Sequence, residues 1–155
     1  MDTILNARFS RHKDELSWLF MELYDDRAAL ETLMQRMKQA FAERSADLRA
    51  LDARRESEPD WYRKGNMLGV TMYTELFAGN LRGLLDKLPY LQEQGITYLH
   101  LMPLLKMPHP HNDAGYAVED FTTVDPSLGS NADLCALTAA LRQAGISLCL
   151  DVVMN

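Results

Sequence analysis

Histidines are the first side chains to examine for chemistry, because three of the four lie in the second half of the chain. His109 and His111 are separated by one residue and alternate with Pro108 and Pro110, which favours an extended loop. A zinc site needs further His, Cys or carboxylate ligands at close spacing, and none stands at a spacing that closes a site here. His100 lies in a run of large residues typical of a strand, so we interpret it as a hydrogen-bonded core side chain. The sequence predicts no metal.

Two aspartates and a tyrosine are the other candidates. Asp151 ends an apolar run that reads as a buried strand, where an unpaired carboxylate is costly, so we expect it to have a partner. Asp113 follows Asn112 and precedes an Ala-Gly pair, a setting typical of a turn in which Asp bonds its own backbone. Tyr116, taken by residue type alone, is an ordinary packing aromatic.

The first third of the chain is predicted to be helical. From Asp2 to about Glu56 it has no Gly or Pro, and its apolar residues recur at helical spacing. Asp25 and Asp26 stand between two apolar stripes and can cap the second helix. These stripes predict a helical hairpin, and Pro59 places the end of an N-terminal helical domain at residue 58. The stripes comprise Leu16, Leu19, Phe20 and Leu23, then Leu30, Leu33, Met34, Met37 and Phe41, continued by Leu48 and Leu51.

After Gly65 the pattern changes to alternating strands and helices. Ser130, followed three residues later by Asp133, predicts a capping box at the start of a helix. The predicted strands are Val70–Tyr73, Ile96–Met102 and Ile146–Met154, and the predicted helices are Leu81–Gln94 and about Asn131–Ala144.

An internal repeat organises this second part. Residues 91–97 (LQEQGIT) and 141–147 (LRQAGIS) share Leu-x-x-x-Gly-Ile followed by a hydroxyl residue. In both stretches the Gly suits the left-handed residue that ends a helix, and the apolar run that follows suits a strand buried on both faces. A repeated βα unit predicts a parallel sheet with right-handed crossovers, in either a closed barrel or an open doubly wound sheet.

The connections favour the barrel. Residues 75–80 (ELFAGN) hold a single Gly and lack the glycine-rich turn that a dinucleotide-binding open sheet carries after its first strand. The connection from about Leu104 to Gly129 is far longer than an ordinary βα loop and is expected to carry function. In a barrel it emerges at the carboxyl ends of the strands, where such enzymes bind substrates.

Three ordered motifs in this part resemble landmarks of the α-amylase superfamily of glycoside hydrolases. They are residues 113–118 (DAGYAV), 124–130 (VDPSLGS) and 151–155 (DVVMN). With residues 59–61 (PDW), 76–79 (LFAG) and 98–104 (YLHLMPL), behind a helical segment, the set is most similar to the amylosucrases. The resemblance implies an α/β fold in which residues 59–155 form the first three strands of a (β/α)₈ TIM barrel. A whole barrel takes about 250 residues, so this one is expected to be incomplete.

The resemblance also implies a reaction. Retaining glycosidases use two carboxylates about 5–5.5 Å apart, one as nucleophile and one as acid and base. Enzymes of the amylosucrase type transfer the glucosyl group of sucrose to an α-1,4-glucan and release fructose. In the family the catalytic carboxylates stand on later strands, so none is expected within this chain, which we predict to be inactive alone.

Particular residues receive roles from the same resemblance. Asp113 is expected to hold glucosyl hydroxyls, and Tyr116 to stack under the sugar ring. Asp151 and Asn155 are expected to be structural positions of the family motif. Asn155 matches a position that binds calcium in true α-amylases, but amylosucrase-like members are not expected to use the ion, so we predict neither metal nor cofactor.

Composition excludes several other classes of function. The chain has 155 residues, 47% hydrophobic and 25% charged, which is typical of a globular protein. A net charge of −6 without a basic cluster disfavours a nucleic-acid partner, and no apolar run approaches the roughly 20 residues of a membrane helix. Cys135 and Cys149 read as small core residues. Without a signal-like segment at the N-terminus, we expect a cytoplasmic location.

Two alternatives remain open on the sequence. The first is another enzyme of the superfamily, namely a sucrose hydrolase, a trehalose synthase or an α-amylase. The second is a truncated, non-catalytic product that acts as a helical interaction module through residues 2–56.

Overall fold

The computed structural model describes residues 3–65, 67–110 and 113–152. The chain divides into two compact units, Met1–Trp61 and Tyr62–Asn155. We call them the helical unit and the sheet unit. The assignment of residues 1–58 and 59–155 as separate domains stays a prediction.

The described part of the helical unit, from residue 3 onward, contains three α-helices where the sequence predicted two. The chain leaves helical geometry at Arg44 and Ser45, which both adopt extended backbone conformations. Asp26 caps the second helix as predicted, because its side chain accepts a hydrogen bond from the Ala29 amide at 2.9 Å. The helices are α1 (Thr3–Tyr24), α2 (Arg27–Glu43) and α3 (Ala46–Ser57).

The sheet unit alternates strands and helices. Its predicted helix over Leu81–Gln94 is divided at Lys87, because Pro89 in the following turn has no amide hydrogen to continue the helical ladder. In chain order the elements are β1 (Gly69–Met72), α4 (Thr74–Ala78), α5 (Leu81–Asp86), α6 (Leu88–Glu93), β2 (Tyr98–Leu101), β3 (Leu105–Lys106), β4 (Asp120–Val124), α7 (Asn131–Gln143) and β5 (Ser147–Leu150).

Strands β1, β2 and β5 form one parallel sheet in that order. They correspond to the three strands that the sequence predicted. Strand β1 has the predicted length of four residues and is shifted by one, whereas β2 and β5 are shorter than predicted within the described residues. The order follows the chain, so each strand lies beside the next parallel strand, as in the wall of a barrel. The parallel sheet predicted from the repeat is confirmed.

The two repeated stretches have the same local structure. Gly95 has φ 71° and Gly145 has φ 75°, both in the left-handed region that glycine adopts without steric cost. The next residue then folds back on the helix that has just ended. The Ile96 amide donates to the Leu91 carbonyl at 3.0 Å, and the Ile146 amide donates to the Leu141 carbonyl at 2.8 Å.

The core of the sheet unit is built mainly of leucines. Leu99 and Leu101 of β2 are fully buried and, because strand side chains alternate, share one face of the sheet. They pack in a cluster with leucines of α5 and α7. Helix α7 begins at the predicted capping box, in which Ser130 Oγ accepts from the Asp133 amide at 3.2 Å and Asp133 Oδ2 accepts from the Ser130 amide at 2.9 Å. The α7 and α5 members are Leu81, Leu84, Leu137 and Leu141.

The long connection after β2 contains structure that the sequence analysis did not predict. Strands β3 and β4 pair antiparallel, with Leu105 opposite Val124. The pair closes the connection at its base, and the described residues 107–110 and 113–119 lie between its two strands in sequence. No helix within the described residues is long and apolar enough to cross a membrane.

Candidate functional site

Asp151 lies at the carboxyl end of the parallel sheet, directly after β5. Its amide donates to the Leu101 carbonyl at 3.3 Å, which holds it beside the end of β2. Each carboxylate oxygen has its own partner. Oδ1 lies 2.7 Å from Nε2 of His100, and Oδ2 accepts the Tyr116 hydroxyl at 2.8 Å. Asp151 therefore has the partner that its position required, and it ties the long connection to the strand ends.

The electrostatics of Tyr116 and Asp151 follow from this contact. The hydrogen bond to Asp151 raises the pKa of Tyr116 to about 12, because a phenolate would lose the bond and face a negative charge. The hydrogen bond from His100, and after it that from Tyr116, holds the pKa of the Asp151 carboxyl below its usual range. At neutral pH the pair consists of a neutral phenol and a carboxylate.

A left-handed turn presents Asp113 and Tyr116. Asp113, Ala114 and Gly115 have φ values of 48°, 55° and 91°, and the Tyr116 amide donates to the Asp113 carbonyl at 3.1 Å. For Ala114 this region costs about 1–2 kcal/mol. Gly115 is buried, and a Cβ there would lie 3.1 Å from Cβ of Pro103. The turn thus requires glycine at its third position and holds a strained backbone at the second.

Asp113 differs from the other aspartates of the connection because its carboxylate is available. The side chain is exposed, and within the described ranges no group donates a hydrogen bond to it. The backbone of Asp113 lies in a turn, as its sequence setting indicated, but its side chain bonds none of the described neighbours. An exposed carboxylate on such a turn can accept hydrogen bonds from the hydroxyls of a ligand.

Asp125 is the opposite case, a fully buried carboxylate. It accepts hydrogen bonds from the Ser127 amide at 2.9 Å, the Ser127 hydroxyl, the Met107 amide at 3.2 Å and Nε2 of His109 at 3.1 Å. Burial alone would raise its pKa, but these donors together hold the pKa of Asp125 below its ordinary value. These bonds hold the connection in place beside β4. The Asp-Pro-Ser sequence is typical of a turn and could have predicted that Asp125 bonds nearby backbone groups.

A depression of about 360 Å³ lies beside β3 and β4. Asp113, Tyr116 and Asp151 are not among its lining residues. Its ionisable side chains already have partners, Lys106 with Glu119 at 3.5 Å and His109 with Asp125 at 3.1 Å. It is lined by Lys106, Met107, His109, Glu119, Asp125, Pro126 and Ser127.

The sequence profile described as "Alpha amylase, catalytic domain" matches residues 5–155. The chain belongs to this α-amylase family. The match begins within α1, so it includes the helical unit as well as the sheet unit. The family predicted from the three motifs is confirmed.

Curated relatives of this α-amylase-family chain include enzymes of several specificities. The trehalose synthase/amylase TreS of Mycobacterium tuberculosis is 36% identical over 104 residues, which are 64% of this chain and 17% of that protein. Neopullulanase 2 of Thermoactinomyces vulgaris is 32% identical over 83 residues, 54% of this chain and 14% of that protein. This chain therefore spans less than a fifth of the length of these relatives.

Solved structures agree with the fold. A mutant of MutB in complex with the substrate sucrose is 29% identical, with a TM-score of 0.54, and the match covers 63% of this chain and 18% of that one. The trehalose-6-phosphate hydrolase TreA of Bacillus licheniformis is 26% identical, with a TM-score of 0.53 and coverage of 61% and 18%. The α/β chain, with its helical start and few parallel strands, matches part of a TIM-barrel domain.

The predicted site residues lie as follows. Tyr116 contacts Asp151 at the strand ends, and Asp113 lies in the turn that leads to Tyr116. Asn155, like His111, lies outside the described residues. Within the described ranges no three His, Cys, Asp or Glu side chains come together as a metal site. The roles assigned to these residues stay predictions. His100 is hydrogen-bonded as the sequence predicted, but it lies outside the leucine core, and its contact with Asp151 was not predicted.

Proposed function

We propose that this chain is the N-terminal part of an α-amylase-family enzyme of the amylosucrase type. Such an enzyme cleaves the glycosidic bond of sucrose, keeps the glucosyl group on a nucleophilic carboxylate, and protonates the departing fructose. An α-1,4-glucan then accepts the glucosyl group. In this proposal both catalytic carboxylates come from sequence outside residues 1–155, and the enzyme works in the cytoplasm without a metal or cofactor.

One observation carries the proposal. The Tyr116 hydroxyl bonds Asp151 at 2.8 Å, so the left-handed turn is held at the carboxyl ends of parallel strands, where barrel enzymes bind their substrates. The turn leaves the Asp113 carboxylate exposed and unbonded among the described residues. Asp113 then binds glucosyl hydroxyls and the half-buried Tyr116 ring packs against the sugar.

Sucrose is favoured as the donor by the structural relatives. One MutB structure that matches this chain is a complex of a mutant with its substrate sucrose. A second candidate is a trehalose synthase, because TreS shows 36% identity over 104 residues. The two differ in bond chemistry: an amylosucrase releases fructose from sucrose, whereas a trehalose synthase rearranges a glucose disaccharide.

Product analysis tests the proposal and separates the alternatives. The protein expressed from its complete reading frame is incubated with sucrose, and then with maltose, and the products are separated by chromatography. We expect fructose from sucrose, with most of the glucosyl groups recovered as α-1,4-glucan. Equal free glucose and fructose would indicate a hydrolase, and trehalose from maltose with sucrose untouched would indicate a trehalose synthase. The 155-residue chain expressed alone should release no fructose, and turnover by it would contradict the assignment as a part.

A further inference from the structure

A chain of hydrogen bonds crosses all three parallel strands. Thr71 of β1 and His100 of β2 are joined by Oγ1 and Nδ1 at 3.2 Å. The other ring nitrogen of His100, Nε2, contacts Asp151 at 2.7 Å, and Asp151 accepts the Tyr116 hydroxyl at 2.8 Å. The order Thr71, His100, Asp151, Tyr116 thus leads from the first strand of the sheet to the predicted sugar site.

Strand register places these groups together. Thr71 is the register partner of His100, and His100 is the register partner of Cys149, two residues before Asp151. Side chains alternate along a strand, so His100 lies on the face opposite Leu99 and Leu101. It is therefore outside the leucine core. His100 is half-buried, and its polar ring atoms meet polar partners on the second face.

Contacts with His100 and Tyr116 together orient the Asp151 carboxylate. His100 holds Oδ1, which leaves Oδ2 turned toward the Tyr116 hydroxyl. Thr71 holds the far side of the imidazole, and this fixes the ring plane. When Nε2 carries the proton and donates to Asp151, Nδ1 accepts from the Thr71 hydroxyl. This is the tautomer that satisfies both partners.

We propose that His100 is a positioning residue, which with Thr71 orients the Asp151 carboxylate and through it fixes the Tyr116 ring against the donor sugar. The part that concerns the sugar rests on the proposed function. The part that concerns Tyr116 stands on the contacts alone. His100 itself touches neither substrate nor reacting atoms, so its effect reaches the sugar through Asp151 and Tyr116.

The test compares two replacements of His100 in the protein expressed from its complete reading frame. His100→Phe keeps a flat ring of similar size without a hydrogen-bonding atom, and His100→Gln keeps an amide that can donate to Asp151. Thr71→Val is a milder variant at an exposed position. Unfolding midpoints and circular dichroism show which variants are folded.

The first readout is Tyr116 ionisation, followed by NMR of ¹³C-labelled tyrosine, with the signal assigned through Tyr116→Phe. In the native protein, where the pKa of Tyr116 is raised to about 12, we expect most Tyr116 hydroxyls to remain protonated at pH 11. In His100→Phe we expect its pKa to fall toward 10, the ordinary value of tyrosine. His100→Gln should retain most of the elevation, and Thr71→Val should shift the pKa in the same direction by less. An unchanged Tyr116 pKa in folded His100→Phe and Thr71→Val would overturn the proposal.

The second readout is steady-state kinetics with sucrose. Loss of the fixed Tyr116 orientation weakens binding of ground state and transition state alike. We expect KM to rise about fivefold to tenfold in His100→Phe, with kcat changed less than about threefold and with recovery in His100→Gln. Equal kinetics in the two His100 variants would overturn the part that concerns the sugar.

The two measurements distinguish failure of the proposed function from failure of the positioning role of His100. If the protein does not use sucrose but the Tyr116 pKa follows the expected order, the proposed function fails and the positioning role of His100 stands. If sucrose is turned over but the Tyr116 pKa does not change with replacement of His100, the proposed function stands and the positioning role of His100 fails.

Discussion

The helical unit and the sheet unit show similar helical periodicity in sequence but bury their apolar residues to different degrees. Among the described residues of the helical unit, Leu30 is the one buried hydrophobic side chain, and Trp18 and Leu23 of α1 are 61% and 73% exposed. In the sheet unit Leu81 and Leu84 of α5, with Leu137 and Leu141 of α7, belong to one cluster with Leu99 and Leu101 of β2 and are almost wholly buried. An apolar stripe predicts a helix in both units, whereas burial depends on a second surface that fits the stripe.

The cited contacts of the helical unit are made by charged side chains that are only partly buried. Arg44 and Asp52 form an ion pair with a second hydrogen bond at 2.8 Å, and the Arg49 guanidinium lies 4.9 Å from the centre of the Phe41 ring. Ion pairs at the surface contribute at most about 1 kcal/mol. We therefore expect the helical unit to tolerate substitutions that unfold the sheet unit.

The largest expected difference is between two leucines. Leu99→Ala in β2 removes a side chain with no exposed surface and should lower the free energy of unfolding by about 2–5 kcal/mol. Leu23→Ala in α1, the matched control, should change it by less than about 0.5 kcal/mol. Urea unfolding followed by circular dichroism measures both. Comparable losses in the two variants would mean that α1 is as well packed as β2.

A smaller difference is expected between two aspartates. Asp125→Asn places an amide among four donors in a buried site and should cost about 2–4 kcal/mol. Asp52→Asn should cost less than about 1 kcal/mol. Both carboxyls have a lowered pKa in the folded chain, that of Asp52 mainly through its hydrogen bond with Arg44. Their contribution to stability is complete above the ordinary Asp pKa of about 3.9 and is lost as pH falls below it.

Unfolding curves between pH 7 and pH 2.5 check this pair. Asp125→Asn should be the variant whose stability depends least on pH in the acid range, because it lacks the carboxyl that must be protonated. If Asp125→Asn lost as much unfolding free energy between pH 7 and pH 2.5 as the unsubstituted protein, the role assigned to the four donors around Asp125 would be contradicted.

Local signals predicted most of the fold. Gly95 and Gly145 each end a helix as the repeat required, and Ser130 and Asp26 cap the helices that follow them. The division at Lys87 was also readable, because Pro89 stands inside the predicted helix. The break at Arg44 was marked less clearly, since neither Gly nor Pro stands there. Its one local signal is Ser45, a preferred N-cap residue that precedes α3 but makes no side-chain cap hydrogen bond.

The site was predicted less completely because its contacts are long-range. Tyr116 and Asp151 were singled out through the family motifs, but their hydrogen bond joins residues 35 apart in sequence. The contact of His100 with Asp151 spans 51 residues and depends on the register of β2 and β5. Sequence periodicity indicates which face of the sheet a side chain lies on, but it does not indicate which residue of the neighbouring strand lies beside it.

The most direct test of the account measures kcat/KM for sucrose in Asp113→Asn, in the protein expressed from its complete reading frame. Asp86→Asn, an exposed aspartate at the end of α5, is the matched control. We expect a fall of about 10- to 100-fold in Asp113→Asn, because the proposed charged hydrogen bonds to glucosyl hydroxyls would be lost, and no change in the control. Equal kcat/KM values in the two variants would contradict a donor site at the turn that Tyr116 and Asp151 hold in place.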